Sequence, residues 1–167
     1  GKKTSRILEQ LLKSNTSSDS IRWASLIALA RLEGKKALTT LRNHMNHPNW
    51  LLRDAAIKSA VALRAKELAP EIESRLKDDA LVVRTTAVDA IGQLQLRSSS
   101  SKLIGALFDP SNAHGGKALW IHTRILKVLR DFKYDTAVPK LRELAKTLPN
   151  DRKTKVEIEQ TISALSA

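Results

Sequence analysis

The chain has 167 residues, 42% of them hydrophobic and 28% charged, with 29 Lys and Arg against 17 Asp and Glu for a net charge of +12. That length fits one compact domain or a short repeat array, with enough apolar mass for a core. The absence of Cys excludes disulfide frameworks, thiolate catalysis and Cys-based zinc sites; three Trp, one Tyr and two Phe are too few for a base-stacking platform; and no apolar run approaches the ~20 residues that span a bilayer.

The chain opens Gly1-Lys2-Lys3-Thr4, without a Met or an apolar leader, which reads as a trimmed start. The compartment stays open: soluble, either cytoplasmic or extracytoplasmic after removal of an N-terminal segment. From there, apolar residues recur at three- and four-residue steps, as in Ile7, Leu8, Leu11 and Leu12 and later in Ile57 and Val61. The pattern predicts ten helices and no strands, at about 4–14, 20–33, 35–46, 49–65, 67–77, 80–96, 99–108, 117–133, 135–147 and 151–166. Ser20, Asn49 and Asp79 are the expected N-caps. Ala24, Ala28, Ala55, Ala56, Ala60, Ala87 and Ala90 would let neighbouring helices approach closely.

The helices repeat in pairs. Arg22, Arg53 and Arg84 are spaced by 31, each followed four residues later by an aliphatic residue, Leu26, Ile57 and Val88. Arg124 with Val128 reads as a fourth copy, and Thr154 with Ile158 as a degenerate fifth. From Arg84 to Arg124 the step is 40, so nine extra residues fall within 109–117. This insertion reads as a plain flexible loop. His114-Gly115-Gly116-Lys117 could offer amides and a cation to an anion, but the strand and full Gly-Lys pattern of a phosphate loop are missing.

Pro70, Asp79, Val83, Arg84, Ala87 and Ala90 in the third copy, and Pro139 in the fifth, resemble the HEAT-repeat family, especially its short variety of roughly 30 residues. The resemblance implies an all-α, right-handed superhelix of about five helical hairpins. It implies one domain over 1–167, with repeats at about 4–33, 35–65, 67–96, 99–133 and 135–166. It implies that each repeated Arg bonds to a turn Asp or a backbone carbonyl, with Asp19 or Ser20 serving Arg22, Asn49 serving Arg53 and Asp79 serving Arg84. The competing expectation is a row of guanidinium groups open to phosphate or carboxylate.

Charge is uneven along the chain: +6 over 1–47, +1 over 48–97 and +5 over 98–167. Arg124, Lys127, Arg130 and Lys133, with Arg97, Lys102 and Lys117, drift round the helix at three-residue steps and are expected to form a broad basic band, not a single line, that suits nucleic acid, anionic lipid or an acidic protein. Asn49-Trp50-Leu51-Leu52-Arg53-Asp54 is also similar to a pattern in the HEAT-like alkylpurine DNA glycosylases. That likeness implies Trp50 stacking on a nucleotide, Asp54 stabilising positive charge on the sugar, and Trp120 with Arg124 closing the pocket. The alternative is that the Trp residues fill core or cover helix ends. His44 and His47, three apart at a helix end, could hold a metal weakly, but the helix dipole also favours His there. No metal or cofactor is expected. The sequence thus points to a non-enzymatic scaffold that binds a protein or peptide partner of acidic character on its concave face. DNA or RNA binding is the alternative, with a glycosylase-like enzyme as its variant and His114, Trp50, Asp54 and Trp120 as weaker binding candidates.

Overall fold

The computed structural model describes residues 1–148 and 150–167. Ten α-helices follow in chain order among them: α1 (Lys2–Lys13), α2 (Asp19–Glu33), α3 (Leu38–His44), α4 (Trp50–Ala62), α5 (Ala69–Ser74), α6 (Leu81–Gln93), α7 (Ser100–Leu107), α8 (Ile121–Asp131), α9 (Val138–Thr147) and α10 (Arg152–Ser166). Short 3-10 turns lead into α3, α5, α7 and α9. The fold is an all-α helical repeat, as the periodicity predicts. One departure is a two-stranded ribbon, β1 (Ala113–His114) and β2 (Lys117–Ala118), where no strand is expected.

The chain divides into two compact units, Gly1–Arg75 and Leu76–Ala167. In the first, α2 packs along α1 on one side and α4 on the other, and α3 lies against α4. Leu26, Leu29, Leu41, Leu52 and Ile57 are fully or almost fully buried there, with Ala55, Ala56 and Ala60 setting the close helix approach. Each such aliphatic side chain contributes about 1.5–3 kcal/mol by leaving water. The first helix is different: Leu8, Leu11 and Leu12 are half-buried against α2, and Ile7 is exposed. In the second unit, α8 lies between α6 and α10, while α7 packs on α8 and α9 on α10. Its core holds Val88, Ile91, Leu103, Ile121, Ile125, Leu129, Leu141 and Ile158. Gly92 is needed where α6 meets α8, because a Cβ there would stand 2.9 Å from Val128 Cγ2.

Burial corrects the register of the fourth repeat. In α6, Val83, Arg84, Ala87, Val88, Ala90 and Ile91 are buried. Sliding by 38 places Ile121, His122, Ile125, Leu126, Val128 and Leu129 on them, and all six are buried in α8. Arg124 is exposed, so the copy of Arg84 is His122, and the insertion is seven residues rather than nine. The helix ends agree. Arg64, Gln95 and Lys133 have φ of 52°, 56° and 52°, and each lies eleven residues past Arg53, Arg84 and His122. The amides of Ala65, Leu96 and Tyr134 then reach back to the carbonyls of Ala60, Ile91 and Leu129. These are three copies of one Schellman ending, with a non-glycine residue held in the left-handed region each time.

Caps differ in part from expectation. Asn49 Oδ1 accepts from the Leu51 amide, as expected. Ser18, not Ser20, caps α2 by accepting from the Ile21 amide. At α6 the N-cap is Ala80, and Asp78 rather than Asp79 accepts a turn amide, from Ala80 itself. Both misses come from placing the helix start one or two residues off, since a cap must sit just outside the helix.

Candidate interaction surface

The repeated Arg residues hold turns together. Arg53 Nη1 donates to the carbonyls of His47 and Pro48, both at 2.9 Å, and the residue is 6% exposed. Arg84 is 4% exposed and makes four bonds. Nη1 reaches the carbonyls of Asp78 at 2.7 Å and Asp79 at 3.1 Å, Nη2 the Ser111 carbonyl at 2.9 Å, and Nε the Asn112 Oδ1 at 2.8 Å. Arg22 donates to the Ser14 carbonyl at 2.7 Å and lies 3.6 Å from Asp19. Backbone carbonyls and a turn Asp are thus among the acceptors, as expected: the Asp79 carbonyl serves Arg84 and Asp19 stands beside Arg22. A row of guanidinium groups open to a ligand is ruled out for Arg53 and Arg84, because buried charge must be satisfied within the protein. His122 plays the same part in α8: its Nε2 lies 3.0 Å from the Leu107 carbonyl. Burial pushes its pKa below the ordinary value, outweighing the backbone bonds and the Asp151 charge that raise it.

The insertion is built, not loose. Asp109 Oδ1 accepts from the amide and hydroxyl of Ser111, and these bonds hold its carboxyl below the usual range. Asn112 is fully buried, donates to the Ala106 carbonyl and accepts from Arg84 and the Leu119 amide. Gly115 and Gly116, with φ of 57° and 74°, turn the ribbon from β1 to β2, as a tight hairpin requires. Asp151 caps α10 and also accepts the Ala118 amide, tying the ribbon to the helix start. Burial raises the Asp151 carboxyl, but the Thr154 amide and hydroxyl and the Ala118 amide outweigh it and hold the group low. The expectation of a flexible loop is thus corrected by a network in which the insertion's polar groups replace water.

The residues of the basic band are spread round the helices, as their three-residue spacing predicts. Arg124 and Lys127 look toward α6: Arg124 is 3.9 Å from Asp89, and Lys127 donates to Asp131 at 2.5 Å. With Gly92, Gln93 and Val128 they line an open groove of about 260 Å³. Arg130 turns the other way and donates to Thr161 of α10 at 2.6 Å. Arg97 donates to the Phe132 carbonyl and stacks over the Phe132 ring. Lys133 is exposed at the left-handed end of α8, and Lys102 is exposed on α7. Lys117 and His114 are exposed on the ribbon at the opposite end of α8, which is roughly 15 Å long.

Trp50 is 45% exposed at the start of α4, whereas Asp54 is 2% exposed and paired with Lys58 at 2.7 Å. Four-residue spacing aligns them on the helix, yet only the Trp is presented to solvent. Trp120, 56% exposed, and Arg124 lie in the second unit. His44 and His47 stack with ring centroids 5.8 Å apart and nearly parallel planes. His44 Nδ1 lies 2.8 Å from the Thr40 carbonyl, and His47 Nδ1 accepts the Asn49 amide. In neutral His47 the proton then sits on Nε2, which leaves that ring no free lone pair for a metal. Burial, His44, Arg22 and Arg53 together push the His47 pKa down.

The corrected register defines the outward face of the second helices. Five residues past each anchor stand Ile27, Lys58, Asp89 and Lys127, and nine past stand Arg31, Ala62, Gln93 and Asp131. In the first unit these positions, with Ala30, Ser59 and Leu63, line a mainly apolar groove of about 110 Å³ between α2 and α4. Sequence reasoning missed this groove because Ile27 and Ala62 look like ordinary helix positions until the repeat is aligned. It also missed Asn112, although Asp109-Pro110-Ser111 carries the signature of a side-chain-capped turn.

A family model of HEAT repeats matches residues 4–92, more than half of the chain. No curated protein matches the chain.

Proposed function

Because the chain belongs to the HEAT-repeat family, whose repeats commonly mediate protein interactions, we propose that it is a scaffold that binds a protein segment along the outward face of its second helices, the concave side that the family resemblance implies. The observation that supports this reading is the charge pairing on that face. Within the second unit, Asp89 with Arg124 and Asp131 with Lys127 set both signs side by side between α6 and α8. A phosphate backbone needs cations without carboxylates between them. A polypeptide, with both signs and apolar side chains, suits a mixed face, and paired charges fix its register more than its raw affinity. The remaining positive charge steers an acidic partner toward the molecule.

The test is capture of a folded partner by the intact chain at moderate salt, with and without nuclease. Capture that survives nuclease and falls with Lys58→Glu and Lys127→Glu together supports the reading. Material lost entirely to nuclease overturns it.

A further inference from the structure

We infer that the groove between α2 and α4 is an anchor site for one aliphatic side chain of an acidic peptide segment; this rests on the scaffold reading above. The groove's size is the first ground. At about 110 Å³ it is a small open groove with room for one apolar side chain such as leucine or isoleucine. Its walls are the second ground: Ile27, Ala30, Ala62 and Leu63 are apolar, and burying an aliphatic side chain among them removes water from both surfaces.

The rim supplies the charge preference. Arg31 stands exposed at the last turn of α2, and Lys58 faces it from α4. Lys58 is already paired with Asp54. Arg31 makes no hydrogen bond or ion pair among the described residues, so its guanidinium is available to take a carboxylate in a two-pronged bond. On the floor, the Ser59 hydroxyl is buried and finds no hydrogen-bond partner among the described residues. A buried hydroxyl in that state is destabilising, and a small rotation would let it donate to a carbonyl or carboxylate brought in beside the anchor. An apolar anchor flanked by acidic groups satisfies all three features at once. The equivalent groove of α6 and α8 contrasts with this: there Arg124 and Lys127 face Asp89 and Asp131, and Val128 is the one aliphatic side chain among the described lining residues.

The experiment uses the intact chain and fluorescence anisotropy with three labelled peptides: a leucine pair flanked by glutamates, the same pair flanked by lysines, and a serine pair flanked by glutamates. The glutamate-flanked leucine peptide is expected to bind at least about tenfold tighter than either control. Arg31→Glu and Ala62→Phe, both at exposed positions, should each weaken it by about tenfold or more, the first by charge and the second by filling the groove. Lys153→Glu, exposed on α10 and away from the groove, should leave it unchanged. Equal binding of the three peptides, no binding of any, or variants that bind as the parent does would overturn the inference. The scaffold reading is separable: partner capture that survives nuclease but is untouched by Arg31→Glu and Ala62→Phe removes this anchor site alone, whereas capture abolished by nuclease removes both.

Discussion

Replacing Arg84 with Met keeps the aliphatic stem and deletes the guanidinium, which isolates the polar contribution of one repeat anchor. Four bonds are lost, to the carbonyls of Asp78, Asp79 and Ser111 and to Asn112 Oδ1. Asp79 and Ser111 are exposed and can turn to water, but Asn112 is fully buried and Asp78 nearly so. Two stranded acceptors at about 1–3 kcal/mol each give a gross loss of about 2–6 kcal/mol. Removing a buried charge also removes its desolvation penalty, so the net falls near the lower part of that range, about 3 kcal/mol. That corresponds to a Tm lowered by about 6–12 °C for a chain of this size. The assay is urea denaturation followed by circular dichroism at neutral pH, where the midpoint should fall with the slope unchanged. Asn112→Ala should destabilise too, and the double variant should lose at least about 1 kcal/mol less than the sum, because the two residues share a bond. A loss under about 0.5 kcal/mol for Arg84→Met, or strict additivity, would refute the role given to this anchor.

Other expectations follow from single contacts. Gly105→Ala in α7 meets no atom within 4 Å and should stabilise by about 1 kcal/mol through helix propensity, whereas Gly92→Ala drives a Cβ to 2.9 Å from Val128 and should destabilise despite the same propensity gain; the two midpoints in urea decide it. Gln95→Gly relieves a left-handed φ of 56° and should raise stability by about 0.5–1 kcal/mol in the same assay, and a fall would show that the Gln95 side chain matters more than its backbone. His47 and His122 have depressed pKa values, so the unfolded chain binds their protons more readily than the native one. Their stabilisation is full above the ordinary value of 6.5 and is lost as pH falls from there through their lower folded values. Urea midpoints should decline across that window, less steeply in His122→Gln, whose amide can still donate to Leu107; a flat profile would contradict the burial argument.

Much of the fold was readable because helical periodicity and the 31-residue step are repeated signals, each copy confirming the last. All ten predicted helices are present, within a few residues at each end for most. The fourth repeat was misaligned for a specific reason. The repeat was aligned on Arg followed four residues later by an aliphatic residue, which selects Arg124–Val128, whereas burial shows that His122 stands at the anchor position with Leu126 four residues on. The insertion was misread because its order comes from long-range bonds, Arg84 to Asn112 and Asp151 to Ala118, that no local pattern announces. The interaction surface was the least legible part. Counting cations along α8 could not show that Arg124 and Lys127 face carboxylates while Arg130 points to Thr161. Nor could it show that α2 and α4 enclose an apolar groove, since that depends on side chains 31 residues apart.

The central claim is that this face meets a polypeptide and that the net positive charge is a steering field. Titration of fluorescent duplex DNA against the intact chain, from low to physiological salt, tests it most directly. The account predicts binding at low salt that collapses by about 150 mM and is insensitive to which bases are offered. Affinity retained at physiological salt, and abolished by Arg124→Glu with Lys127→Glu and Arg130→Glu, would contradict it and make α8 a nucleic-acid site.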